Sequence, residues 1–253
     1  MAKTKLDTKN PFISAFFPCY NDAGTIASMV ELATMTLKKL TNKFEVIVVD
    51  DGSSDLSRPI LISLKKNHPN LKLVFHEVNQ GYGGALITGF KNSSGELIFY
   101  TDGDFQYDVT ELEKLFLRMT KKVDIVQGYK VKRHDPWFRI LIGDLYNSGV
   151  KFLFSIRIRD VDCDFRLIRR VVFQKVKLEH KSGVITVEMV KKIQDAGFKF
   201  SEVPVSHFFR SYGRSQFFNY KRISRVFIEL IELWRELVLI KWQKRIFIEK
   251  KIS

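Results

Sequence analysis

The sequence contains little cysteine and no long apolar run. Cys19 and Cys163 are its two cysteines among 253 residues, so a disulfide framework is excluded and a reducing compartment is favoured. Neither cysteine has a Cys or His neighbour at metal-ligand spacing, which argues against a zinc site. The opening residues MAKTKLDTKN lack the apolar core of a signal peptide, and no segment approaches the ~18 uncharged apolar residues of a membrane span. These absences predict a cytoplasmic protein without a membrane-spanning helix.

The positive charge lies in one half of the chain. The net charge is +14, residues 1–129 contain equal numbers of acidic and basic side chains, and residues 130–253 hold the whole basic excess. This asymmetry predicts an anionic partner for the second half, which can be nucleic acid, anionic lipid or a phosphorylated substrate. A solvated basic surface is the alternative.

Short apolar runs alternate with helical patterns through the first half. The predicted strands are residues 12–18, 45–55 (which ends in a turn), 71–77, 96–102 and 123–128. The predicted helices are residues 23–40, 59–67, 81–95 and 109–119. This alternation predicts βαβ units and therefore an α/β fold, with a mainly parallel central sheet flanked by helices.

The second half is less regular. The predicted elements are a helix at 135–156, a strand or strand-turn at 161–170, a helix at 186–197 and a strand at 198–205. From about Phe217 onward the pattern is helical and amphipathic. We therefore divide the chain into an N-terminal tail at 1–10, one α/β domain at 11–216 and a C-terminal amphipathic segment at 217–253.

Polar clusters follow three of the predicted strands. They are Tyr20-Asn21-Asp22, Asp50-Asp51-Gly52 and Asp102-Gly103-Asp104. Because ligands of parallel sheets bind outside the carboxyl ends of the strands, we expect these clusters to meet at one edge. A divalent cation would neutralise Asp102 and Asp104, and Gly103 allows the bend that aims both acids at one ion. A solvated turn is the alternative.

Two further segments each have two interpretations. Asp51 can accept hydrogen bonds from a nucleobase or ribose, whereas Ser54 or Asp55 can cap the following helix. The glycines of NQGYGGAL can bring backbone N–H groups to a phosphate. Close packing of the helix against the sheet explains the same glycines equally well.

Six motifs occur in order along residues 11–220: PCYND (18–22), VIVVDDGSSD (46–55), QGYGGA (80–85), DGDFQ (102–106), DVDCDFR (160–166) and RSYGRSQ (210–216). Their order and spacing resemble the family 2 inverting glycosyltransferases of GT-A fold, and most of all the polyprenyl-phosphate branch typified by dolichyl-phosphate mannose synthase. The resemblance implies an enzyme that moves a sugar from a UDP- or GDP-linked donor to a dolichyl or undecaprenyl phosphate, with Mg²⁺ or Mn²⁺.

The resemblance also implies a nucleotide-sugar site. Its residues are Pro18, Tyr20, Asp22, Val49, Asp51, Asp102, Gly103, Asp104, Lys130, Arg210 and Gln216. Asp102 and Asp104 match the acids that hold metal and diphosphate, and Gln106 matches the Gln that follows them in the metal shell. The family usually has Glu, Arg and Lys where this chain has Asp22, Lys130 and Gln216. The first two replacements keep the charge and the third loses it.

The implied catalytic residues are Asp104, Asp160 and Arg210. Arg210 and Lys130, together with the metal, would stabilise the departing nucleoside diphosphate. A polyprenyl phosphate is already ionised near neutral pH, so a strong general base is less necessary than for a sugar hydroxyl. Asp160 would orient or activate the acceptor, or would only form a salt bridge with Arg166 or Arg159. The family's Thr-Ser-Gly is replaced by Asp162-Cys163-Asp164, which adds two acids near the acceptor.

The basic second half supplies acceptor candidates. Arg133, Arg139 and Arg214 are predicted to meet the acceptor phosphate, and the apolar face of helix 135–156 to meet the prenyl chain. A core helix beside a solvated loop is the alternative.

The C-terminal segment is amphipathic. At helical spacing it places Ile223, Phe227, Leu230, Trp234 and Leu237. Such a helix with a basic end can lie on an anionic membrane, with ~1 kcal/mol for each Lys or Arg near the surface. Packing on its own domain or on a second subunit, as a homodimer, is the competing interpretation.

The main functional prediction is an inverting polyprenyl-phosphate glycosyltransferase that is peripheral on the cytoplasmic face of the membrane. The alternative is a glycosyltransferase of the same fold that acts on a soluble or protein-linked glycan. A nucleic-acid-binding protein is a remote third, because no nucleic-acid motif supports it and the acid clusters oppose it.

Overall fold

A seven-stranded sheet forms the centre of the molecule. The computed structural model describes residues 10–133, 137–210, 212 and 220–240, with the side chains of 10–131, 140–210, 212 and 224–240. The strands are β1 Ile13–Cys19, β2 Phe44–Asp50, β3 Leu71–Phe75, β4 Leu97–Thr101, β5 Ile125–Arg133, β6 Phe165–Arg169 and β7 Phe200–His207. They lie in the order β3-β2-β1-β4-β6-β5-β7. Strand β6 runs antiparallel to both of its neighbours, and the other pairings are parallel. The predicted mainly parallel α/β fold is confirmed.

Helices connect most of the strands. They are α1 Ile26–Leu40, α2 Ser57–Lys65, α3 Tyr82–Asn92, α4 Leu112–Arg118, α5 Trp137–Phe154, α6 Val172–Lys175, α7 Ile185–Asp195 and α8 Tyr220–Trp234. A 3₁₀ turn at Val109–Glu111 precedes α4, and a π-helical stretch at Arg235–Ile240 continues α8. The predicted helix at 23–40 begins only at Ile26, because residues 22–25 form a turn in which Thr25 N donates to Asp22 O. The short helix α6 was not predicted.

Two apolar layers cover the sheet. Helices α1, α2 and α4 pack on one face, and α3, α6 and α7 pack on the other. The apolar positions predicted for α1 are all fully buried: Ile26, Met29, Val30, Ala33 and Leu37. The sheet is therefore buried on both faces, as expected for a parallel sheet with crossover helices.

The C-terminal helix packs against the body of the molecule. Leu230, Leu233 and Leu237 are buried in a third cluster that α5 and α7 also form. Trp234 Nε1 donates to the carbonyl oxygen of Leu153 at 2.9 Å. Packing on its own domain, one of the competing interpretations, therefore holds for this face. Phe227 was predicted on the same face but is 63% exposed.

No helix in the described ranges is both long and apolar enough to cross a bilayer. The predicted boundaries at 11–216 and 217–253 stay predictions, because residues 241–253 lie outside the described part of the chain.

Candidate active site

The loops after β1 and β2 are bound to each other. Asn21, with a left-handed φ of 58°, accepts hydrogen bonds through Oδ1 from Ser54 N at 2.8 Å and Asp55 N at 3.3 Å. Asp22 N donates to Ser57 Oγ at 3.1 Å. Asp55 also accepts from the backbone N–H of Ser57, the first residue of α2, at 2.9 Å, so it satisfies one N–H of the first turn although Leu56 stands at the N-cap position. These bonds hold Asp22 at the carboxyl edge of the sheet.

The Asp51 carboxylate is 3% exposed and organises the loop after β3. Its Oδ1 lies 2.6 Å from His76 Nδ1 and accepts from Gln80 N at 2.8 Å. Its Oδ2 accepts from Gly81 N at 3.0 Å. Sequence reasoning missed His76, whose only signal was a polar residue after a strand. The nucleotide contact predicted for Asp51 stays a prediction.

The glycines that open α3 pack closely against the loop at His180 and Lys181. A Cβ on Gly83 would lie 2.2 Å from the carbonyl oxygen of His180, and Gly83 N donates to Lys181 O at 2.9 Å. The N–H groups of Gln80 and Gly81 already bind the Asp51 carboxylate. The N–H groups of Gln80, Gly81 and Gly83 thus already have protein acceptors, so the phosphate-binding interpretation is wrong for these three groups. Close packing, against a loop, explains the glycines.

The bend after β4 packs tightly on the first loop. A Cβ on Gly103 would lie 2.8 Å from the carbonyl oxygen of Pro18. Thr25 Oγ1 donates to Gly103 O at 2.8 Å. Phe105 adopts a left-handed φ of 62°, which completes the reversal of the chain. The bend places Asp102, Asp104 and Asp22 within one electrostatic cluster.

Burial and mutual repulsion make this cluster costly to ionise. Burial raises the pKa of Asp102 to about 7, and the charge of Asp104 adds to the rise. Burial also raises the pKa of Asp22 to about 6, with Asp104 again contributing. A cation at this edge would offset these penalties, and carboxylate oxygens are the donors that Mg²⁺ and Mn²⁺ prefer. The donor set therefore fits a hard divalent cation.

Arg210 is the cation that the structure brings to the cluster. The segment after β7 is held by Phe208 N, which donates to Gln106 O at 2.8 Å. Arg210 then donates to Asp104 Oδ2 from Nε at 3.1 Å and from Nη2 at 2.6 Å. Although partial burial opposes its charge, the carboxylate of Asp104 raises the pKa of Arg210. Arg210, predicted to stabilise the departing diphosphate, therefore lies beside Asp104 at this edge.

Gln106 is held by the Asp104 carboxylate and by the backbone carbonyl of Phe208. Its N–H donates to Asp104 Oδ1 at 3.1 Å and its side-chain Nε2 to Phe208 O at 3.2 Å. Within the described residues, no group of three or more His, Cys, Asp or Glu side chains forms a ready metal site. A metal on Asp102 and Asp104 would thus take further oxygens from substrate or water. The metal role of Gln106 stays a prediction.

Lys130 and Asp160 line a second region. Lys130 Nζ lies 3.5 Å from Asp160 Oδ2 and donates to the carbonyl oxygen of Asp162 at 3.3 Å. A cleft of about 260 Å³ opens beside them, between β5, α5 and the segment before β6. Its lining is Tyr129, Lys130, Gly143, Asp144, Asn147, Arg159, Asp160 and Asp162. The salt bridge of Asp160 is with Lys130 and that of Arg166 is with Asp164, so the Asp160–Arg166 alternative is wrong.

A buried network connects the two regions. Arg166, 1% exposed, donates from Nη1 to Asp164 Oδ1 at 2.7 Å and from Nε to Gln127 Oε1 at 2.5 Å. Burial raises the pKa of Asp164 well above its usual range and lowers the pKa of Arg166 to about 10. Tyr82 donates to Asp102 Oδ1 at 2.8 Å. Sequence reasoning missed Tyr82, which lies inside the QGYGGA motif but was not singled out, and Gln127, which lies in none of the six motifs.

The remaining predicted residues are placed as follows. Val49 is fully buried in the cluster under α3, and Pro18 pairs with it in the sheet register. Tyr20 is 37% exposed at the edge. Arg214 and Gln216 lie outside the described residues, as do the side chains of Arg133 and Arg139. Their predicted contacts stay predictions.

A mainly parallel sheet with paired aspartates and an arginine at its carboxyl edge is typical of the GT-A fold of glycosyltransferases. The model of glycosyl transferase family 2 matches residues 14–177. The chain belongs to this family and is a glycosyltransferase.

Among curated relatives, the chain is similar to undecaprenyl-phosphate 4-deoxy-4-formamido-L-arabinose transferase of Serratia proteamaculans. The two are 26% identical over 217 residues, which make up 85% of this chain and 65% of that protein. The chain thus spans slightly less than two thirds of the length of this relative.

Two solved structures show the same fold. Glucosyl-3-phosphoglycerate synthase from Mycobacterium tuberculosis, in complex with phosphoglyceric acid, has a TM-score of 0.66 and 16% identity over 89% of this chain and 79% of that chain. A mannosyltransferase from Pyrobaculum calidifontis, in complex with GDP-Man and Mn²⁺, has a TM-score of 0.61 and 20% identity. The match covers 83% of this chain and 60% of that chain. At these identities the likeness concerns the fold.

Proposed function

We propose that this glycosyltransferase moves a sugar, with inversion, from a nucleoside-diphosphate sugar to a polyprenyl phosphate. The observation that carries the proposal is the meeting of Asp102, Asp104 and Arg210 at one edge of the sheet. Carboxylates there suit a divalent cation, and a guanidinium beside them suits a diphosphate. Residues 11–216 would form the catalytic domain.

Asp102 and Asp104 would hold Mg²⁺ or Mn²⁺. When bound, the cation neutralises the charge that builds up on the departing diphosphate. Solved structures of the Mycobacterium tuberculosis synthase contain UDP with Mn²⁺ or Mg²⁺, and the Pyrobaculum enzyme contains GDP-Man with Mn²⁺. These relatives of the fold support a metal with either nucleotide.

The other residues of the site bind and orient the substrates. Arg210 would turn from Asp104 towards the diphosphate and stabilise its negative charge. Asp160 holds the Lys130 side chain through their ion pair and would place it beside the departing diphosphate. The acceptor phosphate is ionised near neutral pH, so its oxygen can attack the anomeric carbon without a strong base.

Apolar side chains beside the cleft support a lipid acceptor. Helix α5, which contributes Gly143, Asp144 and Asn147 to the cleft, also exposes a row of apolar side chains. They are Leu141 52%, Ile142 53%, Leu145 66%, Phe152 85% and Leu153 46%. An exposed apolar surface of this kind fits a prenyl chain and the cytoplasmic face of a membrane. The name of the Serratia relative, which includes undecaprenyl phosphate, points the same way.

A soluble or protein-linked glycan is the second candidate acceptor. The polar lining of the cleft favours it, since Asp144, Asp160 and Asp162 can accept hydrogen bonds from sugar hydroxyls. The fold relative from Mycobacterium tuberculosis, a glucosyl-3-phosphoglycerate synthase, contains phosphoglyceric acid, which is not a lipid.

A donor panel distinguishes the acceptors. Radiolabelled UDP- and GDP-sugars are incubated with the protein, Mn²⁺ and membrane lipid extract, and label is counted in the organic phase. Label in the organic phase from one donor supports the lipid acceptor. Label that stays in the aqueous phase on a glycan or protein supports the second candidate, and nucleotide-sugar left intact with every acceptor contradicts both.

A further inference from the structure

Tyr82 lies between the two halves of the site. It is the first residue of α3 and follows Gly81, which has a left-handed φ of 85°. Its ring packs against the apolar cluster under α3, and its hydroxyl donates to Asp102 Oδ1 at 2.8 Å. The glycine turn therefore aims this phenol at one of the two aspartates that would hold the cation.

The Asp164 carboxyl lies near the same hydroxyl. Asp164 accepts in turn from Arg166 Nη1 at 2.7 Å and from Tyr100 at 3.1 Å. Arg166 is fixed further by Gln127 Oε1 and by the carbonyl oxygen of Val161, each at 2.5 Å. Tyr82 is thus the link through which a rigid, buried network reaches Asp102.

We propose that Tyr82 is a positioning residue for Asp102. Its hydrogen bond engages Oδ1 and fixes the rotation of the carboxylate, which leaves Oδ2 to face the cation. Partners that orient a ligating carboxylate change metal affinity without touching the metal themselves. The inference rests on the proposed function, because it requires the cation site at Asp102 and Asp104.

Tyr82→Phe removes the hydroxyl and keeps the ring, so the packing of α3 is preserved. We expect Mn²⁺ to bind this variant about tenfold more weakly in the presence of UDP or GDP. The melting temperature should stay that of the wild type. Binding is measured by electron paramagnetic resonance of free Mn²⁺. In turnover, added Mn²⁺ should restore much of the lost rate, which a purely structural defect would not allow.

Two controls complete the experiment. Tyr146→Phe removes the hydroxyl of a tyrosine on α5 that packs in the third cluster, and it should leave Mn²⁺ affinity unchanged. Asp102→Asn should abolish most Mn²⁺ binding. If Asp102→Asn binds Mn²⁺ as the wild type does, the metal site of the proposed function is wrong. If Asp102→Asn loses Mn²⁺ but Tyr82→Phe keeps wild-type affinity, the proposed function stands and the role of Tyr82 is overturned.

Discussion

Arg210 donates two hydrogen bonds to Asp104 Oδ2, although the two residues are 106 positions apart in the chain. The other oxygen of Asp104 accepts from Gln106 N. Both oxygens therefore have protein donors, and a cation alone must compete with the guanidinium for Oδ2. A diphosphate would change this balance, because it offers Arg210 a second anionic partner.

Arg210→Gln should therefore separate metal binding from nucleotide binding. We expect Mn²⁺ alone to bind the variant roughly two- to fivefold more tightly, since a competing cation is gone. UDP or GDP should bind more weakly in the presence of Mn²⁺. Both affinities can be measured by calorimetry. Arg118→Gln, on the surface of α4, is the control, and weaker binding of Mn²⁺ alone to Arg210→Gln would contradict the competition.

The close packing at Gly83 predicts that a substitution by alanine lowers the stability of the fold. An alanine Cβ there would lie 2.2 Å from His180 O and 2.7 Å from the carbonyl carbon of Lys181, and the backbone has little room to yield. We expect Gly83→Ala to lower the free energy of unfolding by about 1–3 kcal/mol. Gly149→Ala is the control, because a Cβ at Gly149 in α5 meets open space. Equal urea midpoints for the two variants would count against this account of the glycine segment.

The loop at 179–182 should confer a pH dependence on stability. His180 Nδ1 lies 3.2 Å from Glu188 Oε2, and this contact with the Glu188 carboxylate raises the pKa of His180 above 6.5. Because the pKa is higher in the folded state, this stabilisation is complete below pH 6.5 and is lost as the pH rises through the folded value. Glu188 behaves in the opposite way. Burial opposes its charge, but hydrogen bonds from His180 and Lys192 lower its pKa to about 2.

Wild type should therefore lose thermal stability more steeply than His180→Gln does as the pH rises above 6.5. The contribution of Glu188 is present above pH 4.5 and should disappear as the pH falls towards 2. Melting temperatures across this range, taken for both proteins, test the prediction. If the melting temperatures of the two proteins change in parallel above pH 6, His180 is not the source of the pH dependence.

The exposed face of α5 predicts membrane binding. Phe152 is 85% exposed, and moving its side chain from water into the interface would contribute about 1.5–3 kcal/mol. Phe152→Glu should reduce co-flotation with anionic vesicles about tenfold or more. Leu117→Glu provides the matched control, since Leu117 is 76% exposed on α4, which packs on another cluster. Equal flotation of both variants would contradict the prediction that α5 binds the membrane surface.

The sequence predicted the elements and the edge at which the polar clusters meet. Apolar runs that stop at Asp50 and Asp102 are local signals, and parallel strands carry such ends to one side. The residues that bind these acids could not be predicted from the sequence. His76, Tyr82 and Arg58, which forms an ion pair with Asp50, showed no periodicity that distinguishes them from surface residues.

The network around Arg166 was also hidden, for a topological reason. Strand β6 runs antiparallel between β4 and β5, and this insertion places Arg166 beside Tyr100 and Gln127. Nothing in the local pattern of residues 161–170 indicated the direction of that strand. The antiparallel order, and not the composition of the segment, decides which polar groups Arg166 meets.

The central claim is that the carboxylates at the end of β4 drive sugar transfer. Asp104→Asn keeps the shape of the side chain and removes its charge, and Asp195→Asn makes the same change at the exposed end of α7. The decisive measurement is the transfer of labelled sugar to polyprenyl phosphate by each folded protein at saturating Mn²⁺. We predict that Asp104→Asn loses at least about 99% of the transfer rate while Asp195→Asn matches the wild type. Full transfer by Asp104→Asn would contradict the account.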